Sequence, residues 1–153
     1  MNKSYIAEKV TMIIPKLTSF KWKTQSEVSG LAQVFVHIMD FPESNLWIWI
    51  GDSSASLSNM SLALQYTKKG DKNGPISNQK SIPPVATTIL NPTTSDEASN
   101  KSQIMAQRLS KFLGGRPVYL SYSIPDMGLV EDLLGLSQLE VQLFQLLKKQ
   151  SSS

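Results

Sequence analysis

The stretch that decides the fold of this chain is VFVHIMDFPESNLWIWI, residues 34–50. Large apolar and β-branched side chains fill both of its ends, as is typical of β-strands. Between them, residues 40–45 read Asp-Phe-Pro-Glu-Ser-Asn, a composition that ends strands and forms turns. Two such runs at hairpin distance predict a pair of antiparallel strands, residues 33–41 and residues 46–50.

Both predicted strands are apolar on both faces. Side chains alternate between the two faces of a strand. In the first strand the two sets are Val34, Val36, Ile38 and Phe35, His37, Met39; in the second they are Trp47, Trp49 and Leu46, Ile48, Ile50. A sheet of this kind needs cover on both faces. Helices can cover one face, and the other must meet a second sheet or a partner protein. On general grounds a second sheet of the same chain is the favoured cover.

Further strands are predicted on either side of this hairpin. Period-two alternation predicts a strand at residues 18–23 with Phe20 and Trp22 facing inward. β-rich composition predicts another at residues 84–90. A weaker alternation runs through Met60, Leu62, Leu64 and Tyr66. The last predicted strand, residues 118–124, places on one face Val118, Leu120, Tyr122 and Ile124.

Two helical regions are predicted. In the first, Thr94 or Ser95 is the N-cap and Gly114-Gly115 is the C-terminal stop. Its apolar face consists of Ala98, Met105, Leu109 and Phe112. The second opens at Pro125-Asp126, and Ser137 begins a capping-box sequence at which the helix can restart. Its leucine stripe, which favours a core position over a partner groove, consists of Leu129, Leu133, Leu136, Leu143 and Leu147. Consecutive strands followed by helix, strand and helix predict a single α+β domain, residues 1–153, on an antiparallel sheet.

Residues 67–83 differ in composition from the rest of the chain. Lys, Gly, Asp, Asn, Ser and Pro dominate there, and Ile76 and Ile82 are the only large apolar residues. Such a segment cannot bury enough apolar surface to offset its ordering entropy. It therefore reads as a mobile surface insertion within one domain. Its four lysines, residues 68, 69, 72 and 80, favour a solvated loop over a phosphate-binding site.

The composition excludes several classes of function. The chain has 153 residues, 41 % of them hydrophobic and 18 % charged, which suffices for one core. It has no cysteine and one histidine, so disulfides, thiolate catalysis and metal sites built from these residues are excluded. The net charge is only +3, and 13 of the 15 basic residues are lysine, which disfavours nucleic-acid recognition. The apolar runs are too short for a membrane span or a signal peptide. We expect a cytoplasmic protein without cofactor or metal, with the nucleus left open as a second location.

One short motif suggests catalysis. Gly51-Asp52-Ser53 follows a hydrophobic strand and resembles the nucleophile block of GDSL-type esterases. Those enzymes need a histidine base, but His37 lies upstream in mid-strand, and a serine without a base is a poor nucleophile. Glu131 and Asp132 point about 100° apart on a helix and cannot act as a pair. The sequence therefore predicts a turn at residues 51–53, no catalytic residues and no enzyme.

Several segments together resemble the proteasome assembly chaperone 4 family. The segments that carry the resemblance are residues 36–39, 46–51, 62–63, 84–90, 106–109 and 117–122. They occur in the family's order and span roughly residues 20–124, with a helix after them. Three features depart from the family pattern: the length of residues 67–83, an extension over about the first 15 residues, and Asn91-Pro92 in place of a glycine turn.

The resemblance implies a fold and a function. The fold is a six-stranded antiparallel β structure with helices packed on it. The implied function is non-enzymatic: the chain pairs with a chaperone 3-like protein, and the pair binds an alpha-ring subunit during early assembly of the proteasome core particle. We expect strand and C-terminal-helix surfaces to meet the companion, although no motif assigns the contact residues. Two alternatives stay open, a longin- or roadblock-type dimerisation scaffold of a trafficking complex and a weak RNA-binding protein that uses the lysine-rich loop.

Overall fold

The structure, a computed structural model, describes residues 13–22, 33–65, 82–90, 96–124 and 131–151. These residues form six strands and two helices. In chain order they are β1 Lys16–Trp22, β2 Val34–Asp40, β3 Leu46–Gly51, β4 Met60–Leu64, β5 Val85–Leu90, α1 Asp96–Phe112, β6 Val118–Ser123 and α2 Glu131–Ser151. The predicted order of strands, helix, strand and helix is confirmed. Neither described helix is long and apolar enough to cross a membrane.

The six strands form one sheet in the order β1-β2-β3-β6-β4-β5. Four neighbouring pairs are antiparallel, but β3 and β6 run parallel. The predicted six-stranded α+β fold is thus confirmed, and the antiparallel prediction is wrong at this one pair. The reason is topological. Strands β3 and β4 run in opposite directions with β6 between them, and a strand inserted there must be parallel to one of its neighbours.

The hairpin of β2 and β3 forms as predicted. Val36 pairs with Ile50 and Asp40 pairs with Leu46. In the turn, the amide of Phe41 donates to the Asn45 carbonyl at 3.0 Å, which closes the hairpin. Glu43 has a φ of 60°, a left-handed conformation that tight turns use. Local turn chemistry therefore sets the register that decides which side chains share a face.

The core lies between the two helices and one face of the sheet, which we call the inner face. The strands contribute to it Val34, Val36, Ile38, Leu46, Ile48, Ile50, Ala63, Val118, Leu120 and Tyr122, all buried. The helices contribute Met105, Ala106, Leu109, Leu139, Leu143 and Leu147. Helix α1 packs on β4, β5 and β6. The end of α2 reaches β1, where Gln150 Nε2 donates to Thr18 Oγ1 at 3.1 Å. The predicted core role of the leucine stripe is confirmed at Leu143 and Leu147.

Small polar side chains fix helix α1 on the sheet. Ser61 of β4 and Ser102 of α1 share a buried hydrogen bond of 2.5 Å. Gln103 Nε2 donates to Thr88 Oγ1 of β5 at 2.6 Å. The helix ends at the predicted glycine pair, since Gly114 and Gly115 have φ values of 70° and 90° that disfavour other residues. The amide of Gly115 donates to the Ser110 carbonyl at 2.8 Å, a helix-terminating contact.

Two details differ from the sequence predictions, at Phe112 and in helix α2, and the orientation of β4 is a further finding that the sequence did not predict. Phe112 is 45 % exposed and packs on Phe144 of α2, with ring centroids 4.7 Å apart. Helix α2 continues through Gly135 without a restart at Ser137. In β4, Ser61 and Ala63 face the core, and the larger Met60, Leu62 and Leu64 face away from it. Several predictions lie outside the described residues or side chains: those on Trp22, Tyr66, residues 67–81, Thr94, Ser95, Ala98, Pro125-Asp126, Leu129, Leu133 and Leu136.

Candidate functional site

The face of the sheet opposite the helices, which we call the open face, is largely apolar. Strand register places on it Leu17, Ser19, Lys21, Phe35, His37, Met39, Trp47, Trp49, Met60, Leu62, Leu64, Val85, Thr87, Tyr119 and Ser121. Leu17 is 67 % exposed, Leu64 46 % and Trp47 39 %. The six described strands all belong to one sheet, so none of them covers this face. The favoured expectation of a second sheet within the chain is therefore wrong for the described residues.

Cross-strand pairs hold the aromatic rings of the open face in fixed positions. Trp47 of β3 stacks on Tyr119 of β6, with centroids 4.3 Å apart and planes at 15°. His37 of β2 stacks on Trp49 of β3 at 5.3 Å and 27°. Register explains both contacts, because the members of each pair lie directly opposite each other. The rings are thus ordered before any partner arrives, which reduces the entropy lost on binding.

Trp49 is held in place from two further sides. Its indole Nε1 donates to the Ser56 carbonyl at 2.9 Å, which ties the ring to the loop between β3 and β4. The ring also lies against Gly51, where an added Cβ would come within 2.2 Å of the indole. A larger residue at position 51 would therefore displace the Trp49 ring.

A depression lies at the centre of the open face. Its volume is about 390 Å³, and it is lined by Leu17, Ser19, His37, Ile38, Met39, Trp47, Ile48, Trp49, Leu57, Met60 and Ser121. The small side chains of Ser19 and Ser121 lie among large apolar ones, which leaves the space unfilled. A depression with this lining can accept an apolar side chain from another protein, the usual arrangement at the centre of an interface.

The residues that the sequence singles out for catalysis have structural contacts instead. Asp52 forms a tight turn, in which its Oδ1 accepts hydrogen bonds from the Ser54 hydroxyl at 2.5 Å and the Ser54 amide at 2.9 Å. These bonds, the hydroxyl first, lower the pKa of Asp52 below its usual value. His37 is hydrogen-bonded to Ser19, with 2.7 Å between Nδ1 and Oγ. The predicted turn is confirmed from Asp52 onward, where the Ala55 amide donates to the Asp52 carbonyl at 3.2 Å, but Gly51 is the last residue of β3. The described residues contain no group of three or more His, Cys, Asp or Glu side chains suited to a metal ion.

One important residue escapes sequence reasoning. The Arg116 guanidinium donates to the carboxylate of Asp40 and to the carbonyls of Phe41 and Asn45. It thereby ties the turn of the β2–β3 hairpin to the segment that leads into β6. Only two of the chain's basic residues are arginines, and that rarity is the one signal that could have drawn attention to it.

Comparison with known proteins agrees with this architecture. A chain from the "Crystal Structure of a Novel Chaperone Complex for Yeast 20S Proteasome Assembly" has a similar fold, with a TM-score of 0.54 and 18 % identity. The similarity covers 87 % of this chain and 96 % of that one. No curated protein sequence matches significantly. The family model of proteasome assembly chaperone 4 matches residues 33–124, from the residue before β2 to the residue after β6. This chain belongs to the proteasome assembly chaperone 4 family.

Proposed function

We propose that this proteasome assembly chaperone pairs with a chaperone 3-like protein through the open face of its sheet. The pair then binds a free alpha-ring subunit during early assembly of the core particle and leaves before completion. The chain takes part by binding and carries out no reaction. Family membership and the fold shared with a chain of a yeast chaperone complex support this proposal.

The observation that carries the pairing is the chemistry of the open face. Lys21 provides the only fixed charge among the described residues of this face, and its Nζ lies 5.3 Å from the Phe35 ring centroid. Apolar and aromatic surface of this extent is typical of permanent interfaces and unusual on an isolated chain. A related chaperone would supply a second sheet, and two sheets packed face to face interdigitate their side chains. This arrangement meets the requirement for cover that the strand sequences imply.

The second binding surface follows from the first. Once a companion covers the open face, an alpha subunit must contact another surface of the pair. The C-terminal helix, first expected to contact the companion, lies on the opposite side of the sheet, and its apolar surface, with Val141 of α2 53 % exposed, is available to the alpha subunit. Net charge is low, so shape and apolar contact select the subunit more than electrostatic steering does.

Co-expression tests this function. The chain alone should self-associate or be poorly soluble, and with a chaperone 3-like protein it should form a stable one-to-one complex by light scattering. That complex should capture a free alpha subunit but not the finished core particle. A well-behaved monomer that binds neither protein would contradict the proposal. Co-purification with subunits of a trafficking complex would favour the dimerisation-scaffold alternative.

A further inference from the structure

The ammonium group of Lys21 is held against an aromatic ring of the open face. Lys21 lies on β1 directly opposite Phe35 of β2, and its Nζ lies 5.3 Å from the centroid of the Phe35 ring. Phe35 is partly buried, and its other cross-strand neighbour, Gly51, has no side chain to cover the ring. A protein that covers Phe35 therefore comes to lie against the ammonium group as well.

We infer that the companion carries a carboxylate opposite Lys21, at the end of the sheet where β1 finishes and β2 begins. This inference rests on the proposed pairing through the open face. Lys21 is exposed in the isolated chain, so water solvates its charge. An ammonium group that loses this water without gaining an anion costs far more than its attraction to an aromatic ring contributes. A carboxylate supplies both the opposite charge and acceptors for the N–H groups.

The chain itself offers no such anion on the open face. The described residues of this face include neither Asp nor Glu. Asp52 follows the end of β3, and its Oδ1 accepts hydrogen bonds from Ser54. His37, the next open-face residue along β2 after Phe35, is neutral or positive and so repels no carboxylate in either protonation state. The opposite charge for Lys21 must therefore come from the companion.

The same charge favours a companion over a second copy of this chain. Two copies packed through their open faces would bring both Lys21 ammonium groups into the interface and, from the described residues of those faces, no carboxylate. A related chaperone with an acidic side chain at this position removes that penalty. Lys21 thus contributes to partner choice by disfavouring self-pairing, in keeping with the general role of electrostatic complementarity in specificity.

Zero-length carbodiimide coupling tests the contact directly, because it joins an amine to a carboxylate only where the two groups touch. In the full chain bound to a chaperone 3-like protein, Lys21 should couple to an Asp or Glu of the companion, identified by tandem mass spectrometry. Lys21→Arg keeps the charge but has no amine. That variant should lose the cross-link and bind within about twofold of the wild type.

Affinity measurements test whether the contact selects the companion. Lys21→Met removes the charge and keeps an aliphatic side chain, and its Kd should rise about fivefold. Lys21→Glu opposes two carboxylates, and its Kd should rise about 30-fold. The wild-type affinity should fall with added salt more steeply than that of Lys21→Met. Lys16 is also exposed on β1 but belongs to the other face of the strand, so the matched control Lys16→Met should bind as the wild type does.

Two results would overturn the inference. One is a complex in which Lys21 couples to no carboxylate of the companion, which would show that the ammonium turns outward to water while its methylene groups stay in the interface. The other is a Lys21→Met variant that binds as tightly as the wild type. A wild-type chain that forms no complex with the chaperone 3-like protein would overturn the proposed pairing as well, which distinguishes the two failures.

Discussion

Trp47→Ala should separate binding from stability. In the isolated chain Trp47 is 39 % exposed, and its main ordered contact is the stack on Tyr119 at 4.3 Å. An aromatic pair of this kind contributes about 0.5–1.5 kcal/mol, whereas a core tryptophan replaced by alanine costs about 3–5 kcal/mol. We therefore expect the free energy of unfolding to fall by about 1 kcal/mol. The affinity for a chaperone 3-like companion should fall by about 2 kcal/mol or more, roughly 30-fold in Kd, since a buried tryptophan near the centre of an interface is a typical hot spot.

The neighbouring residue on the same strand provides the matched control. Leu46 is fully buried and faces the helices, so Leu46→Ala should destabilise the isolated chain by about 2–5 kcal/mol. The folded fraction of that variant should bind the companion as the wild type does. Urea unfolding at low protein concentration and titration calorimetry measure the two quantities. The reasoning is refuted if Trp47→Ala costs more than about 3 kcal/mol of stability and leaves the affinity unchanged.

Three further perturbations have definite outcomes. Replacing residues 67–83 with a Gly/Ser linker of half the length should change Tm by less than about 3 °C, because halving a flexible loop changes its closure entropy by only ~0.6 kcal/mol. The ends of the segment are already close, since Gln65 Nε2 donates to the Ile82 carbonyl at 2.9 Å. A collapse in soluble yield after the replacement would show that the segment packs against the rest of the domain. Arg116→Met should lower stability by about 2 kcal/mol in thermal unfolding, because methionine has no donor for the Asp40 carboxylate or for the Phe41 and Asn45 carbonyls; a loss under about 0.5 kcal/mol would contradict this role. Gly51→Ala should displace the Trp49 ring, change the tryptophan fluorescence and weaken companion binding, and unchanged fluorescence and affinity would disprove the steric argument.

Local patterns predict the elements whose signals are themselves local. The β2–β3 hairpin is predictable because strand composition and turn residues lie within 17 consecutive positions, residues 34–50. The end of α1 is predictable because the backbone at Gly114 and Gly115 needs positive φ. The position of β6 between β3 and β4 cannot be predicted in this way, because it depends on contacts between strands that lie far apart in the sequence.

The harder question is which apolar face the helices cover. Residues 34–50 alone cannot answer it, because both faces of β2 and β3 are apolar. The distinguishing signal is in β4, where the small Ser61 and Ala63 alternate with larger apolar residues. Small side chains let α1 approach the sheet closely enough for Ser61 to bond Ser102, so the larger residues face away. Counting apolar residues alone would predict the opposite orientation of β4, because such a count ignores the space that a helix needs.

The central claim, that the open face is the pairing surface, is tested most directly by hydroxyl-radical labelling. The chain is labelled alone and in complex with a chaperone 3-like protein, and modification is read residue by residue. Leu17, Met39 and Trp47 are exposed on the open face, while Ile104 and Phe112 are comparably exposed on α1. The account predicts that the first three lose most of their reactivity in the complex and that the two on α1 keep theirs. Protection of Ile104 and Phe112 with unchanged labelling of Leu17, Met39 and Trp47 would contradict it.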